Sequence, residues 1–273
     1  MFACSVSALA QVPVRYPSPE TDNDHRDDYT VELLHLALAK AGGQFVAVPS
    51  TERWSQARTL VHLAEGVDVD VGWSMTSLAR ERDLLPVRVQ IFKGLIGWRV
   101  ALVRRDRPDV LKSARRLQDL GSLVAGQGHD WPDTEILRAN GLNVVESTSY
   151  DSLFRMLVGG RFDYFPRSLV EISIEQQANK DTLAIDPYVL LHYPAAAYFF
   201  VRKGNTELAD AIHRGLGIAT ADGSFDALFN RHFGEQLARL NVEHRRVIEL
   251  TNPLLPPGTP LNRARPWATA RKP

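Results

Sequence analysis

From Val12 onward the apolar positions change period repeatedly, and each change marks a predicted element. Val12 to Tyr16 is a short apolar run ended by Pro17 and Pro19, which reads as a strand. Leu33, Leu34, Ala37, Leu38 and Ala41 then follow helical spacing from about Tyr29. Asp27 and Asp28 bring negative charge to the start of that helix, and Gly42-Gly43 ends it. Phe45 to Val48 is β-rich, and a second helix carries Trp54, Ala57, Leu60, Val61 and Ala64 up to Gly66. Val67, Val69, Val71 and Trp73 alternate with Asp68, Asp70 and Gly72, the period of a strand. The order β-α-β-α-β favours a parallel sheet covered by helices.

A long apolar stretch, Val89 to Val103, and a charged segment, Arg104 to Arg116, separate this series from a second one. The second begins with a strand Leu123–Ala125, a Gly-containing turn and a helix from Pro132 to Asn140. Strand Val144–Glu146, helix Asp151–Val158, strand Phe162–Phe165 and helix Leu169–Asn179 follow. The α/β pattern therefore starts twice. Beyond Pro194, Ala195 to Val201 is apolar and β-prone, and two helices, Thr206–Thr220 and Phe225–Phe233, are separated by Asp222-Gly223. From Asn252 the chain is rich in Pro and basic residues with little periodicity, the pattern of a tail ordered by contact or loose.

Charge and cysteine content narrow the function classes. Among 273 residues, 32 Lys and Arg balance 32 Asp and Glu. A net charge of zero leaves no electrostatic footprint for nucleic acid or for an anionic membrane surface. The single cysteine, Cys4, excludes an intramolecular disulfide, a thiolate zinc site and an iron–sulfur cluster. The histidines lack metal-site spacing, so neither metal nor cofactor is expected. The first residues, MFACSVSALA, are small and apolar and end in Ala8-Leu9-Ala10, which predicts a truncated signal peptide over residues 1–11 and export of the remainder.

Three motifs carry a resemblance to a known family. "DVDVGWSMTSLARERDLLPV" (Asp68–Val87) ends a strand in Ser and Thr and places an Arg before an apolar segment. "GRFDYF" (Gly160–Phe165) is a Gly-Arg-x-Asp strand entry. "ADAIHRGLGIATADGSFDALFNRHFG" (Ala209–Gly234) pairs two helices across an Asp-Gly-Ser break and ends in Phe-Gly. With the element order, these resemble the family-3 extracellular solute-binding proteins of ABC importers, over about Val12 to Gly234. The resemblance implies an α/β, two-lobed type II periplasmic-binding fold, each lobe a mostly parallel sheet flanked by helices. Lobe 1 would be residues 12–103 plus 195–250 and lobe 2 residues 104–194, with 251–273 a Pro- and basic-rich tail. Crossing strands near Arg99–Val103 and Ala195–Val201 would form the hinge.

The same resemblance places a ligand between the lobes, at strand carboxyl ends and helix N-termini. Tyr16, Glu20, Trp73, Ser74, Thr76, Arg80, Gly128, Trp131, Arg167 and Ser168 are the candidates. In the family the Arg of the Asp68–Val87 stretch clamps the ligand carboxylate, which here implies Arg80, with Arg82 as competitor. A guanidinium's planar fork suits two parallel bonds to a carboxylate. Ser74 and Thr76 add hydroxyls, while Trp73, Trp131 and Tyr16 offer aromatic walls.

The second lobe departs from the family's pattern. Amino-acid-binding members carry an Asp five residues after the strand-entry Asp; counting from Asp163 gives Ser168, beside Arg167. A ligand ammonium needs an anionic partner. Glu171, one turn on, is one substitute; the alternative is that Arg80 and Arg167 hold a ligand with two negative groups.

Catalytic patterns are incomplete. Gly126-Gln127-Gly128 begins a dinucleotide-type turn, but Trp131 stands at the third glycine position. Gly72-Trp73-Ser74-Met75-Thr76 lacks the closing Gly of a nucleophile turn. The sequence therefore points away from an enzyme and toward a monomeric periplasmic solute-binding protein. Its expected partners are a small polar or anionic, amino-acid-like ligand and the membrane subunits of an ABC importer. The alternatives are an extracellular sensor-type binding domain and a dehydratase-like enzyme with Glu20 or Glu171 as general acid.

Overall fold

A computed structural model describes residues 11–19 and 25–261. Residues 1–10, most of the predicted signal peptide, lie outside the described residues, as do Glu20 and the end of the tail, 262–273. In chain order the elements are β1 (Val12–Tyr16), α1 (Asp28–Lys40), β2 (Phe45–Pro49), α2 (Gln56–Glu65), β3 (Val71–Met75), α3 (Leu78–Asp83) and β4 (Leu84–Val87). They continue with β5 (Trp98–Arg104), β6 (Val124–Gly128), α4 (Pro132–Ala139), β7 (Asn143–Ser147), α5 (Tyr150–Val158) and β8 (Phe165–Ser168). The last are α6 (Ile172–Ala178), β9 (Leu183–Ile185), β10 (Val189–His192), β11 (Ala197–Arg202), α7 (Thr206–Ala221), α8 (Ser224–Arg239) and β12 (Arg246–Glu249). Among the described residues no helix is long and apolar enough to cross a membrane.

The chain divides into two compact units. Unit 1 takes the chain up to Trp73, then Asp83–Val89 and Phe199–Leu228; unit 2 takes Ser74–Arg82, Gln90–Tyr198 and the chain from Phe229. One boundary between the units falls inside β11, between Tyr198 and Phe199. None falls at Arg99–Val103, the other segment expected to cross. Strand β5 belongs wholly to unit 2, where β8, β9 and β10 all pair with it in antiparallel register. A strand with partners on both sides is an interior strand, and the remaining boundaries fall instead between residues 73 and 90 and after Leu228.

Unit 1 is built as its periodicity predicts. Tyr29, Thr30, Leu33, Leu34, Ala37 and Leu38 bury one face of α1. Gly42 and Gly43 follow with φ of 109° and 70°, conformations that suit glycine. Strands β1 and β2 pair in parallel from Val12↔Phe45 to Tyr16↔Pro49, and β4 pairs with β11 antiparallel. Helix α7 packs so closely on α1 that a Cβ at Gly215 would stand 1.8 Å from the Ala37 carbonyl oxygen. Strand β3 starts later than the Val67 alternation suggests, because Asp68 takes a positive φ of 60° and turns the chain first.

Unit 2 combines a parallel β6–β7 pair with a sheet ordered β12-β10-β5-β8. Within it β10–β12 is parallel and the neighbours of β5 are antiparallel, so the sheet is mixed. The first six residues of β5 and all of β8 are buried. Strands β9, β10 and β12 are short and lie outside the periodic segments of the sequence.

Candidate functional site

Helix α3 carries Arg80 on a turn organised by short polar ties. The Ser77 hydroxyl oxygen accepts from the Arg80 amide at 3.2 Å, and the Thr76 hydroxyl donates to Glu81 Oε1 at 2.6 Å. The Thr76 amide also donates to the Ala196 carbonyl at 2.7 Å. Arg80 itself reaches back and donates Nη1–H to the Met75 carbonyl oxygen at 2.7 Å. The residue keeps part of its surface, yet its guanidinium is desolvated. Burial lowers its pKa to about 10, outweighing the opposing pull of Asp130 and Asp133.

Two other arginines of unit 2 have the opposite balance. Arg99, at the second position of β5, places Nη2 2.6 Å from Asp133 Oδ1 and Nη1 3.1 Å from Glu171 Oε2. Arg167, in β8, places Nη2 3.0 Å from Glu171 Oε1 and 2.7 Å from Glu175 Oε1. Glu171 therefore bridges the two guanidinium groups, one carboxylate oxygen to each. Burial works against both charges, but the acids outweigh it and both pKa values are raised. The Tyr193 hydroxyl donates to Asp133, and the Tyr150 hydroxyl donates to Glu175 Oε1 at 2.9 Å. The outcome is a continuous chain, Asp133–Arg99–Glu171–Arg167–Glu175, in which every ion pair shares a member with the next.

This network relocates several sequence candidates. Arg167 is 2% exposed and held by its own carboxylates, which removes it from a two-arginine clamp on a doubly negative ligand. Ser168 is fully buried: its amide donates to Glu171 Oε2 at 3.1 Å and its hydroxyl to the Leu95 carbonyl at 3.4 Å. Trp131 lies under Arg167, with the guanidinium carbon 4.5 Å from the ring centroid, and stacks at 12° to Phe165. Gly128 makes that placement feasible, since a Cβ there would stand 2.4 Å from the Trp131 ring. The candidates Arg80, Ser74, Thr76, Gly128, Trp131, Arg167 and Ser168 all belong to unit 2. Ser74 is buried on β3, and Thr76 is fully buried with its hydroxyl engaged.

Trp73 and Tyr16 belong to unit 1. The Trp73 indole donates to Asp27 Oδ1 at 2.7 Å, meets Phe199 edge-on, and has its ring centroid 6.4 Å from that of Tyr16. Trp73 is 8% exposed, a core aromatic with its polar edge satisfied.

Arg99, Asp133, Glu175 and Tyr193 are the members that motif reasoning missed. Arg99 had a legible signal, a charged residue inside the apolar run Val89–Val103. Such a residue must be paired when the run is buried. Its partners lie 34 and 72 positions away in sequence and carry no pattern of their own.

No protein-family model matches the chain, and no curated protein matches it. Solved structures do. An ancestral arginine-binding protein bound to arginine superposes with a TM-score of 0.64 at 18% identity, covering 82% of this chain and 99% of that one. A periplasmic binding protein of Salmonella typhimurium with high arginine specificity gives 0.62 at 16%, over 81% and 99%. A histidine kinase sensor domain similar to periplasmic binding proteins gives 0.60 at 22%, over 82% and 96%. The chain has the periplasmic-binding fold of these proteins.

Proposed function

We propose that this protein is an exported solute-binding protein that captures a small, carboxylate-bearing, amino-acid-like metabolite for the membrane subunits of an ABC importer. The contrast among three arginines of unit 2 supports this reading. Arg99 and Arg167 are each held by two carboxylates and almost fully buried, while Arg80, on a helix with no buried residue, keeps part of its surface and donates to the Met75 carbonyl. A guanidinium on a partly exposed residue can receive an external carboxylate, and its fork geometry allows a bidentate grip.

Charge bookkeeping narrows the ligand further. Arg80, Arg99 and Arg167 stand against Asp130, Asp133, Glu171 and Glu175, three cations to four anions. Glu171 keeps 24% of its side chain exposed, against 6% for Asp133 and 0% for Glu175. A ligand that brings a carboxylate to Arg80 and a cationic group to Glu171 leaves that balance unchanged. An amino acid meets both needs, whereas a dicarboxylate adds a second negative charge beside four acids.

Binding without chemistry would then act by shifting a conformational equilibrium toward the state that contacts the ligand best. A sensor role is the second reading, favoured by the histidine kinase sensor domain among the structural neighbours. A thermal-shift screen of amino acids and dicarboxylates, followed by calorimetry, tests the proposal. A saturable rise in melting temperature with an amino acid is expected, following mass action. Arg80→Ala should then weaken binding by about 3–5 kcal/mol, roughly 10²–10⁴-fold, by leaving the ligand carboxylate unmatched. Unchanged affinity in that variant, or no amino acid binding at all, overturns the reading.

A further inference from the structure

Helix α3 is an element that should not hold its place unaided. It has six residues, buries none of them, and leaves Leu78 53% exposed. Helices this short are marginal in water, and their stability ordinarily comes from an apolar face packed on a core. α3 lacks that face, so polar ties must fix it. Local ones join the Arg80 amide to the Ser77 hydroxyl, the Thr76 hydroxyl to Glu81 and the Arg80 guanidinium to the Met75 carbonyl. Another comes from far along the chain: the Leu78 amide, an N-terminal orphan donor of the helix, donates to the Leu254 carbonyl at 2.9 Å.

The segment that supplies this carbonyl is built to present it. Residues 250–261 form neither helix nor strand, yet they are bound to unit 2 at successive points. The Leu250 amide donates to the His192 carbonyl at 2.7 Å. Thr251 exchanges backbone bonds with the Asn140 side chain, its amide to Oδ1 at 2.9 Å and its carbonyl from Nδ2 at 2.8 Å. Asn252 Nδ2 donates to the Pro194 carbonyl at 2.8 Å, and Asn252 Oδ1 accepts from the Leu254 amide at 3.0 Å. That last bond closes an Asx turn around Pro253, whose ring fixes φ, so the Leu254 carbonyl is pre-aimed at little entropic cost. The strap also grips the chain at Pro194, two residues before the Ala196 carbonyl that accepts from Thr76. One flank of the Arg80 turn is tied to the strap itself, at Leu78, and the other to the segment that the strap grips, at Ala196.

We propose that the C-terminal strap, centred on Asn252, is the positioning element of the Arg80 helix. For its functional meaning the inference rests on the ligand role of Arg80; its structural content stands apart. The strap sets where α3 begins and hence where the Arg80 guanidinium is held. Asn252 is a positioning residue that acts through Leu254 and Leu78.

Hydrogen exchange on the full chain without ligand tests the structural content. In Asn252→Ala the amides of Leu78–Arg82 should exchange at least tenfold faster than in the parent, while those of Val100–Val103 in β5 stay unchanged. Asn252→Asp keeps the acceptor of the Asx turn and should restore most of the α3 protection. Titration with L-arginine as probe gives the functional arm, with a roughly tenfold or greater loss of affinity in Asn252→Ala and recovery in Asn252→Asp. Unchanged α3 exchange in Asn252→Ala overturns the proposal, as does an equal loss of protection in β5. Failure of L-arginine to bind the parent chain counts against the amino-acid reading of the site, while the exchange arm still decides the role of the strap.

Discussion

The Arg99 guanidinium and the Asp133 carboxylate meet at 2.6 Å with side chains only 3% and 6% exposed, and the Tyr193 hydroxyl donates to the same carboxylate. Removing Asp133 leaves the buried Arg99 with Glu171 alone and takes from the Tyr193 hydroxyl its acceptor. Asp133→Ala should therefore destabilise the protein by about 3–5 kcal/mol. The paired replacement Arg99→Met with Asp133→Leu should cost much less, because it removes both desolvation penalties together. Chemical denaturation of the two variants distinguishes the cases: similar losses would mean that the pair itself contributes little.

The closeness of α1 and α7 has an equally direct consequence. A methyl group at Gly215 would stand 1.8 Å from the Ala37 carbonyl oxygen and 2.6 Å from its carbon, both backbone atoms that cannot swing away. Gly215→Ala must push the helices apart, although alanine is the better helix former by about 1 kcal/mol. Overpacking of this kind costs about 1–3 kcal/mol, so a net fall in melting temperature is expected. Gly217→Ala, on the same helix but with no atom within 4 Å of the added methyl, should be neutral or stabilising. Thermal denaturation of the two variants side by side checks the assignment.

Two aspartates should give opposite pH signatures. Burial pushes the Asp70 carboxyl up, but the hydrogen bonds and charge of Arg15 more than offset it, and its pKa is lowered. Its contribution is present above the ordinary aspartate value of about 3.9 and is lost as pH falls through the lowered value. The Asp70 and Arg15 side chains are 27% and 41% exposed, so the amount is about 0.5–1 kcal/mol. Asp186 is fully buried, and burial raises its pKa against the amides of Val189 and Tyr188. Its contribution is present below about pH 3.9 and is lost as pH rises through the raised value. Unfolding free energy measured from pH 3 to 7 should therefore flatten at the acid end in Asp70→Asn. In Asp186→Asn the stability should decline less as pH rises from 4. The same slope change in both variants would contradict the assignment.

What could be read from the sequence follows the reach of the interactions. The predicted helix from about Tyr29 corresponds to α1, and the predicted strand at Phe45–Val48 to β2, because a one-sided apolar face is a local pattern. Pro132 opens α4 at the predicted residue for the same reason. Strands β9, β10 and β12 were not legible. They have three or four residues each, and β12 is ordered by its parallel register with β10, Val189↔Arg246 to His192↔Glu249, across more than fifty residues of sequence. At the site, Arg80 stood out through its motif and Glu171 through the missing aspartate. The strap did not, since a Pro-rich tail carries no periodicity, and its order comes from the side chains of Asn140 and Asn252 and the carbonyl of Pro194.

Glu171 offers the sharpest discrimination between ligand classes. It bridges Arg99 and Arg167, yet those two cations also have Asp133 and Glu175, so the pair remains charge-balanced without it. Glu171→Gln should thus keep the fold, at a cost of about 1–2 kcal/mol for a weakened hydrogen bond to charged groups. On the proposed amino-acid reading the change is larger for the ligand, because Glu171 is the carboxylate that meets its cationic group. Affinity for L-arginine should fall at least tenfold, while affinity for succinate, bound through its carboxylates alone, should stay the same or rise. Calorimetric titration of both compounds into the parent and the variant checks this. An equal loss for both would mean that Glu171 acts only through the fold, and a selective loss of succinate would return the site to anions.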